Sequence, residues 1–527
     1  MKKQHILMLY CFLGFIIFYV FFYWLGTYHL LDVDETRYVN MAKEMFNTKD
    51  YLTLYLNGDY FFEKPPLYFW IECLSFKLFG YISEFSARLP IVLLSMLPAL
   101  LLIFLCRKIK NDKFAIITTA TLFTSLEYIF MTKLAILDSI LSSFVVSSIL
   151  CYFFTFYVEE KSKKYFWILT YIFSALAVLA KGIPGIAIPM IIITISSIIF
   201  KTYKETLKYS WGLIIFLIIT LPWHLIMLKI HGSLFFDEYI VKHHILRFLG
   251  SDIINKNQPW YFYLITLIWG LFPHIFILLS QIKGIKNINF KDKFLTLNFI
   301  AITSILIFFS LSGAKLITYI LPIYPFMAIL IGTIWYRYIS NGDKNVHIFL
   351  IILNSFLTVS TIFICFSQFI LPAEIYTHFT KIQIISLCLL IPYLIFSWIF
   401  ILRKRKLKLF LSIVILMSLI SGFLTPHIYN FDYALGQNDL MRYARFAKDN
   451  NYTISTYLTG KKYSLLYYGE QKNVDFQIEE NLDWLNKELN KDNHIVIIKN
   501  ERIGNLPVKL KKQGIKYSII ERTNYEK

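Results

Sequence analysis

The stretch LDVDETRYVNMAKEMFNTKDYLTLYLNGDYFFEKPPLYFW, residues 31–70, comes directly after an apolar run that is long enough to cross a membrane. It concentrates acidic and basic side chains in a chain of which only 17% is charged. Charged side chains are costly inside a bilayer. The stretch therefore predicts a polar segment at the membrane surface, immediately after the first span.

The composition of the whole chain is that of a polytopic membrane protein. Of its 527 residues, 57% are hydrophobic, and the mean hydropathy of +0.56 exceeds that of ordinary soluble domains. Its six cysteines include no CxxC pair, which argues against a disulfide framework or a thiolate zinc site. The net charge of +19 comes from short basic segments between apolar runs. Such a distribution indicates membrane topology and not nucleic-acid binding.

A membrane-spanning helix needs roughly 20 apolar residues, and this length predicts about thirteen spans. They cover residues 6–27, 87–106, 114–131, 139–158, 165–180, 184–200, 209–228, 260–280, 294–311, 318–336, 346–371, 380–401 and 407–424. If Met1 is cytoplasmic, every basic segment falls on the inner side, as the positive-inside rule requires. The C-terminus and the insertions 28–86 and 229–259 then lie outside, which in a two-membrane bacterium is the periplasm.

This layout predicts two domains. Residues 1–428 form a transmembrane domain, and residues 429–527 form a soluble α/β domain of about one hundred residues, a common domain size. The tail alternates short strands such as HIVIIK with helical segments, one of them capped by Asn438. The sequence has no Gly-rich nucleotide loop, metalloprotease motif or serine-hydrolase motif.

The start of the first outer insertion predicts a surface helix. Asp32-x-x-Glu35 has the spacing of a capping box, and apolar residues follow it at helical intervals. The predicted helix lies on the outer membrane surface and carries Asp34, Arg37 and Tyr38. From spacing alone, Asp34 is equally a first-turn carboxylate that the helix dipole stabilises.

The segment FFEKPP, residues 61–66, predicts a stiff turn in the same insertion. Its two prolines hold the preceding residues in extended conformations. Glu63 and Lys64 therefore stand at fixed positions on the membrane surface. The structural alternative is a lysine that extends toward water beside its neighbouring acid.

Other polar residues stand at the outer ends of later spans. Asp138 begins the fourth span, where the structural alternative is a helix N-cap. Lys181 stands in an outer turn. His244 and Arg247 are three residues apart and share a helix face, although a histidine on a surface helix is more often simply solvated.

Lys315 and Tyr319 stand four residues apart at the outer end of the tenth span, where lysine and tyrosine also serve as interfacial anchors. Lys315 joins Lys64, Lys181 and Arg247 in a set of cations on the outer face, against the positive-inside trend. Cations with carboxylates and a tyrosine nearby suit a site that holds a lipid phosphate.

Eight motifs, in chain order, resemble those of a known family. They are DVDETRY, YFFEKPPLYFW, AILDSIL, LAKGIPG, LPWH, HHILRF, QPWYFYLITLIWGLFPH and SLSGAKLITYILPIYP. The resemblance is to the bacterial lipid A 4-amino-4-deoxy-L-arabinose transferases, which are GT-C-type membrane glycosyltransferases distantly similar to protein O-mannosyltransferases. It implies an all-α polytopic GT-C fold with outer-face surface helices and a small C-terminal α/β periplasmic domain.

The resemblance also implies an activity. It implies an inverting transfer of a sugar from undecaprenyl phosphate to lipid A at the periplasmic face of the inner membrane, without a nucleotide. The sugar is aminoarabinose, a related amino sugar or a hexosamine. The partners implied are the lipid-linked donor, lipid A or a similar membrane acceptor, and membrane lipids.

By motif position, the resemblance implies catalytic roles for Asp34 and Asp138. It implies contacts to the carrier phosphate for Lys64, Arg247 and Tyr319, and a divalent metal, zinc or magnesium, near Glu63 and His244. The shared outer face adds four residues to the predicted substrate-binding set, namely Arg37, Tyr38, Lys181 and Lys315.

Two other functions remain open at this point. Transfer to protein Ser/Thr, or to another surface glycan, fits the same motifs. A transporter or flippase for a polyprenyl-linked sugar also needs cations on the outer face. Transporters tend to show repeated halves with polar groups near the bilayer midplane, and the sequence shows no evident repeat.

Overall fold

The computed structural model describes residues 3–246, 258–282, 292–370, 373–429, 436–504 and 506–522. Up to residue 429 the described chain is mainly helical, as its apolar runs predict. The first helices are α1 (Lys3–Phe21), α2 (Asp34–Thr48), α3 (Leu67–Phe79), α4 (Glu84–Ile109), α5 (Asp112–Phe123), α6 (Leu126–Met131), α7 (Leu137–Phe154), α8 (Glu160–Lys181), α9 (Pro184–Ile199), α10 (Tyr203–Lys208) and α11 (Gly212–Phe235). The later helical segments are the π-helix Phe236–Leu246, the α-helices Phe262–Gly270, Ile275–Leu279 and Lys293–Leu311, the 3-10 helix Ile317–Ile323, and the α-helices Tyr324–Asn341, Lys344–Cys365, Ser367–Ile370, Ala373–Leu402 and Lys406–Tyr429.

Nine helices within the described ranges are long and apolar enough to cross a membrane. They are Glu84–Ile109, Leu137–Phe154, Glu160–Lys181, Gly212–Leu246, Lys293–Leu311, Ile317–Asn341, Lys344–Cys365, Thr380–Leu402 and Lys406–Phe423. The segments Ile6–Phe21 and Pro184–Ile199 are shorter apolar helices. The chain is an integral membrane protein, and the count of thirteen spans stays a prediction.

The two remaining predicted spans are helical but broken. The third, residues 114–131, divides into α5 and α6 because Ser125 between them is extended. The eighth, residues 260–280, is interrupted at Pro273, whose ring prevents a continuous helix. Proline also explains the start of the tenth span, where a 3-10 turn containing Pro322 precedes the α-helix.

The first outer insertion folds as the surface helix α2, a short hairpin and α3. Strand β1 (Tyr55–Leu56) pairs antiparallel with β2 (Asp59–Tyr60). Asn57 and Gly58 connect them, both with positive φ, as a tight hairpin turn requires. One face of α2, including Tyr38 and Met41, is buried, which confirms the amphipathic helix.

The C-terminal segment forms a five-stranded sheet. Its strands are β3 (Thr453–Tyr457), β4 (Asp475–Gln477), β5 (His494–Lys499), β6 (Val508–Gln513) and β7 (Tyr517–Arg522). Their order is β4-β3-β5-β7-β6, with β3 parallel to β4 and β5 and with β7 antiparallel to β5 and β6. The helices are Gln437–Asp449, Ser464–Gly469 and Leu482–Leu489, with a 3-10 turn at Asn500–Arg502. The small α/β unit expected from the sequence is therefore present.

One boundary in this segment differs from the prediction. The helix expected to be capped by Asn438 begins at Gln437, so Asn438 lies inside its first turn. Gly436 precedes the helix with a φ of 66° and supplies no capping side chain. Only a residue that tolerates the left-handed region fits there without strain, which explains the glycine.

Candidate active site

Helix α2 presents an acid, a cation and a hydroxyl at its first turn. The Arg37 guanidinium donates to Asp34 Oδ1 at 2.6 Å and to the Tyr38 hydroxyl at 3.0 Å. The Asp34 side chain is 42% exposed, whereas that of Arg37 is 20% exposed. Asp34 is thus an accessible carboxylate whose orientation is fixed by its helical neighbour.

The predicted capping box does not form. Val33 occupies the N-cap of α2 without a side-chain hydrogen bond. Asp32 Oδ1 instead accepts from the Thr36 hydroxyl at 2.6 Å. The Glu35 carboxylate accepts from the Leu31 backbone N–H at 2.9 Å. Glu35 turns away from the helix end because a stronger partner holds it in the protein interior.

That partner is Arg88 on α4, which the sequence analysis missed. Both side chains are buried, and Arg88 Nε and a terminal nitrogen donate to the two Glu35 oxygens at 2.7 and 2.8 Å. The Ala135 N–H also donates to Glu35, at 2.8 Å. Arg88 donates further to the carbonyls of Leu25, Tyr28 and His29. A charged residue within an apolar run needs a buried partner of opposite charge. The position of Arg88 in such a run is therefore the sequence signal that predicts a pairing of this kind.

Glu35 and Arg88 therefore position two acidic candidates. Asp34 directly precedes Glu35, and Asp138 stands three residues after Ala135. Because Glu35 binds both Arg88 and the Ala135 N–H, it holds the start of α2 against the segment that precedes α7. Bidentate arginine–carboxylate pairing fixes geometry as well as charge.

Asp138 is not the N-cap considered in the sequence. Ile136 occupies that position, and Asp138 lies in the first turn of α7. Its carboxylate is 6% exposed, pairs with the Lys181 ammonium and accepts from the Thr318 hydroxyl at 3.0 Å. Both carboxylate oxygens of Asp138 therefore already have a partner. This favours a role for Asp138 in orienting Lys181 and not in transferring a proton.

Lys181 ends α8, and its nitrogen lies 4.2 Å from the centre of the Tyr319 ring. Such a distance gives a cation–π contact. Residues that are far apart in the chain therefore meet in one polar group: Asp138, Lys181 and Tyr319. The sequence placed all three on the outer face but gave no indication of their direct pairing.

The FFEKPP turn behaves as its prolines predict. Lys64 is only 6% exposed, and its nitrogen donates to the Glu63 carbonyl at 2.9 Å and lies 3.9 Å from Glu63 Oε2. Pro66 then occupies the N-cap of α3. The turn holds a buried ammonium group beside a partly exposed carboxylate.

The two histidines occupy different environments. His243 Nδ1 lies 3.7 Å from Glu63 Oε2, so His243 and not His244 is the histidine beside that acid. The centre of the His244 ring lies 4.5 Å from that of the Tyr239 ring, with the two planes tilted by 52°, and the ring fits closely against Gly182. A Cβ at Gly182 would lie 2.1 Å from His244 Nε2, so this glycine makes room for the ring.

The segment that carries these histidines is a π-helix, Phe236–Leu246. The three-residue spacing of an α-helix face therefore does not apply to it. Arg247 lies outside the described residues, and its predicted phosphate contact stays a prediction. Both ring nitrogens of His244 are buried without a hydrogen-bond partner among the described residues, which leaves them available to a ligand.

Most of these groups line one cavity of about 400 Å³. Its polar lining comprises Lys64, Asp138, Lys181, His243, His244, Ser312 and Tyr319. Its apolar lining comprises Leu141, Ile183, Pro184, Ile245, Phe308, Phe309 and Ala314. Ammonium groups beside an apolar wall suit an amphiphile with an anionic head group and a hydrocarbon tail.

Lys315 does not line this cavity. It is 7% exposed, and its ammonium donates to the Gln258 carbonyl at 3.0 Å. Burial lowers its pKa. Lys315 therefore fastens the loop before the tenth span to Gln258, and its predicted substrate contact stays a prediction.

Carboxylates on α2 and carboxylates near the cavity both affect the pKa of Tyr38. Burial raises the pKa of Tyr38, Arg37 lowers it, and Asp34, Asp138 and Glu63 raise it further. Charges act strongly only over short distances in a protein. The acidic candidates from both regions thus lie around one buried tyrosine.

The metal expected from the resemblance stays a prediction. Within the described ranges, no three His, Cys, Asp or Glu side chains are grouped so that they could hold an ion. Glu63 and Glu238 approach opposite nitrogens of His243, at 3.7 and 3.5 Å. One ion cannot use both ring nitrogens, so these three residues do not fit a single metal.

Comparisons with known proteins identify relatives of the chain. Residues 7–236 match the family described as Dolichyl-phosphate-mannose-protein mannosyltransferase. The chain is 28% identical over 312 residues to the undecaprenyl phosphate-alpha-4-amino-4-deoxy-L-arabinose arabinosyl transferase of Shewanella sediminis, covering 58% of this chain and 56% of that protein. It is 31% identical over 320 residues to an uncharacterized protein of Aquifex aeolicus, covering 60% of this chain and 70% of that protein.

The fold extends the similarity over the whole chain. The crystal structure of ArnT from Cupriavidus metallidurans bound to undecaprenyl phosphate matches with a TM-score of 0.79 at 17% identity, covering 100% of this chain and 99% of that one. The sequence match to the Shewanella protein spans little more than half of that relative. Ordered motifs, sequence matches and fold agree: the chain belongs to the GT-C family of membrane proteins that includes the undecaprenyl phosphate-alpha-4-amino-4-deoxy-L-arabinose arabinosyl transferases.

Proposed function

We propose that the protein transfers a sugar, aminoarabinose or a related amino sugar or hexosamine, from undecaprenyl phosphate to lipid A. The reaction takes place at the periplasmic face of the inner membrane, with the N-terminus cytoplasmic and the C-terminal domain periplasmic. The observation that carries the proposal is the cavity that combines Lys64, Lys181 and Tyr319 with an apolar wall. This combination suits a polyprenyl phosphate.

The reaction is a single displacement at the anomeric carbon. An acceptor oxygen forms the new bond while the bond to the carrier phosphate breaks, and its electron pair stays on the phosphate oxygen. Negative charge therefore grows on the leaving group, and fixed cations stabilise it in the transition state. Lys64 and Lys181 supply these charges, and Asp138 holds Lys181 in place.

His244 and Tyr319 act as neutral hydrogen-bond donors to the same head group. Both line the cavity, and the buried N–H of the neutral His244 ring gains an acceptor when a phosphate or sugar oxygen enters. Satisfying a buried polar group contributes to binding because leaving it unpaired costs about 1–3 kcal/mol.

The role of Asp34 depends on the chemistry of the acceptor. A phosphate acceptor is anionic at neutral pH and loses no proton, so Asp34 then orients the sugar or its amino group. A hydroxyl acceptor loses its proton in the displacement, and the accessible Asp34 carboxylate takes it.

Mass spectrometry of lipid A tests the proposal directly. Lipid A from cells with and without this gene is expected to differ by the mass of one or more sugar residues, and that mass identifies the sugar class. Identical lipid A from both strains, under conditions in which the protein is made, would reject lipid A as the acceptor.

A second function is transfer to protein Ser/Thr. The match of residues 7–236 to a protein mannosyltransferase family favours it. Unchanged lipid A together with altered glycosylation of envelope proteins would support this alternative over the first.

Replacing Lys64 with alanine is expected to raise the KM for the lipid-linked donor about tenfold or more, because a hydrogen bond to a charged group contributes about 1.5–3 kcal/mol. Steady-state kinetics of purified protein at varied donor concentration measure the change. Lys77→Ala, at an exposed lysine in the last turn of α3, is the control. An unchanged KM for the donor in Lys64→Ala would reject the proposed contact between Lys64 and the carrier phosphate.

A further inference from the structure

A seam of hydrogen bonds joins the C-terminal segment to the start of α2, and its centre is the Asp32 carboxylate. Asp32 Oδ1 accepts from the Ser464 N–H at 2.9 Å and from the Thr36 hydroxyl at 2.6 Å. The other Asp32 oxygen accepts from the Ser464 hydroxyl. Ser464 and Thr36 are fully buried, and hydrogen bonds to a charged group are the stronger ones. Asp32 therefore ties the first turn of α2 to the short helix Ser464–Gly469.

The seam also holds the second turn of α2 and the chain before the helix. The Asn40 amide donates to the Thr36 carbonyl at 2.8 Å and to the Tyr463 carbonyl at 2.9 Å, so it links the backbones of the two helices. Ahead of α2, the Leu30 N–H donates to the Tyr468 hydroxyl at 2.8 Å. The C-terminal segment thus holds the start of α2 at three successive points.

These contacts lie on one face of α2. Thr36, Asn40 and Lys43 share that face by their spacing, and the Lys43 ammonium lies 5.4 Å from the centre of the Tyr467 ring. Asp34 comes two residues before Thr36, which in an α-helix is a rotation of roughly 200°. The candidate catalytic carboxylate therefore lies on the face of α2 opposite the seam.

The face that carries Asp34 packs against the membrane domain. Tyr38 stands one turn after Asp34, and its ring centre lies 5.7 Å from that of Tyr68 and 6.3 Å from that of Phe69, both on α3. Helix α2 is therefore a layer between α3 and the C-terminal segment. A helix that is held on both faces keeps its first turn, and with it Asp34, in one position.

The seam is separate from the donor cavity. Among the residues that the structure describes, none from α2 or from the C-terminal segment lines that cavity. A weakened seam therefore leaves the donor contacts in place and displaces Asp34. A shift of about 1 Å in a reacting group can lower a rate about 100-fold, so such a displacement is expected to lower kcat and not the affinity for the donor.

We propose that Ser464 is a positioning residue of the transfer reaction, which acts through Asp32 to fix the start of α2 and so holds the Asp34 carboxylate in its reactive position. The proposal rests on the function proposed above, in which Asp34 orients the sugar or takes the proton of the acceptor. It assigns the C-terminal segment a part in the rate of transfer that needs no contact with a substrate.

The test uses Ser464→Ala, which removes the hydroxyl, keeps the backbone N–H and leaves all charges unchanged. Transfer from undecaprenyl phosphate-linked aminoarabinose to purified lipid A is measured with full-length protein in detergent. We expect kcat to fall about tenfold, because the loss of one of the bonds at Asp32 displaces Asp34 only slightly. The KM for the donor is expected to stay at the wild-type value. Asn40→Ala, which removes the second contact of the seam, is expected to act in the same way.

Ser518→Ala is the matched control. Ser518 is also fully buried in the C-terminal segment, and its hydroxyl donates to the Asn500 side chain at 2.7 Å. Because each variant loses one buried hydrogen bond, both are expected to lower the unfolding temperature to a similar extent. Only Ser464→Ala is expected to lower kcat.

A double-variant comparison tests whether the seam acts through Asp34. When one residue acts through another, the losses caused by the two substitutions are not additive. In protein that already carries Asp34→Asn, we therefore expect Ser464→Ala to lower the residual rate by less than about twofold.

Four results would overturn the positioning role while transfer by the wild type keeps the proposed function. They are an unchanged kcat in both Ser464→Ala and Asn40→Ala, a raised donor KM in these variants, an equal loss of kcat in Ser518→Ala, and an equal loss with and without the Asp34 carboxylate. The last two would indicate a purely structural role. A wild-type protein that transfers no sugar to lipid A would instead reject the proposed function, and the positioning role would fall with it.

Discussion

Replacing Asp34 with asparagine is expected to lower sugar transfer at least about 100-fold, the usual contribution of a positioned acid or base. Asparagine keeps the shape of the side chain and removes its charge. Because Asp34 is 42% exposed and pairs with its helical neighbour Arg37, the fold is expected to survive. Asp34 is also the acidic candidate with an accessible oxygen, whereas Asp138 engages both of its oxygens.

The measurement is transfer from lipid-linked donor to lipid A in membranes that contain equal amounts of each variant. Asp59→Asn, at an exposed position on β2 in the same insertion, is the control for the change of charge. Near-normal amounts of product from Asp34→Asn would reject a catalytic role for Asp34. Its carboxylate would then serve only to stabilise the start of the helix.

Replacing Arg88 with methionine is expected to destabilise the protein by about 3–5 kcal/mol, because it leaves the Glu35 carboxylate buried without its cation. The same change removes the donors of three backbone carbonyls. We therefore expect less folded protein after detergent extraction and a lower unfolding temperature. The double variant Glu35→Gln/Arg88→Met is expected to recover part of the loss, because no unpaired charge remains.

Arg107→Met on the same helix is the control. Arg107 pairs with Asp112, but its side chain is 59% exposed, and exposed ion pairs contribute only about 0–1 kcal/mol. Size-exclusion chromatography and thermal unfolding in detergent compare the three variants with the wild type. Equal unfolding temperatures for Arg88→Met and the wild type would show that the buried pair contributes little.

The sequence predicts those features that depend on neighbouring residues. Apolar runs predict the helices, and the prolines of FFEKPP predict the turn at Glu63 and Lys64. Runs rich in β-branched and aromatic residues predict three of the five strands of the C-terminal sheet, β3, β5 and β7. Each signal acts within about one turn of helix or one strand. Local patterns therefore predict the helical membrane domain, the small α/β tail and many of the residues that line the cavity, whereas the GT-C fold is implied by the resemblance of the ordered motifs.

The errors arise where long-range contacts override local spacing. Glu35 has the spacing of a cap, but Arg88, 53 residues away, binds it more strongly. The motif positions of the resemblance pair Glu63 with His244, whereas the π-helix brings His243 beside that acid. Lys315 has the spacing of a partner for Tyr319 but reaches the Gln258 carbonyl. No local rule relates residues at such separations.

The seam between Asp32 and Ser464 joins residues that are 432 positions apart. At typical rates of synthesis, about 5–20 residues per second, those positions take roughly 20–90 seconds to make. During that interval the first spans are already in the membrane, but α2 lacks its final neighbours. A ribosome-bound chain thus contains α2 and the residues that line the cavity long before the segment around Ser464 is made, so α2 gains this partner only near the end of synthesis.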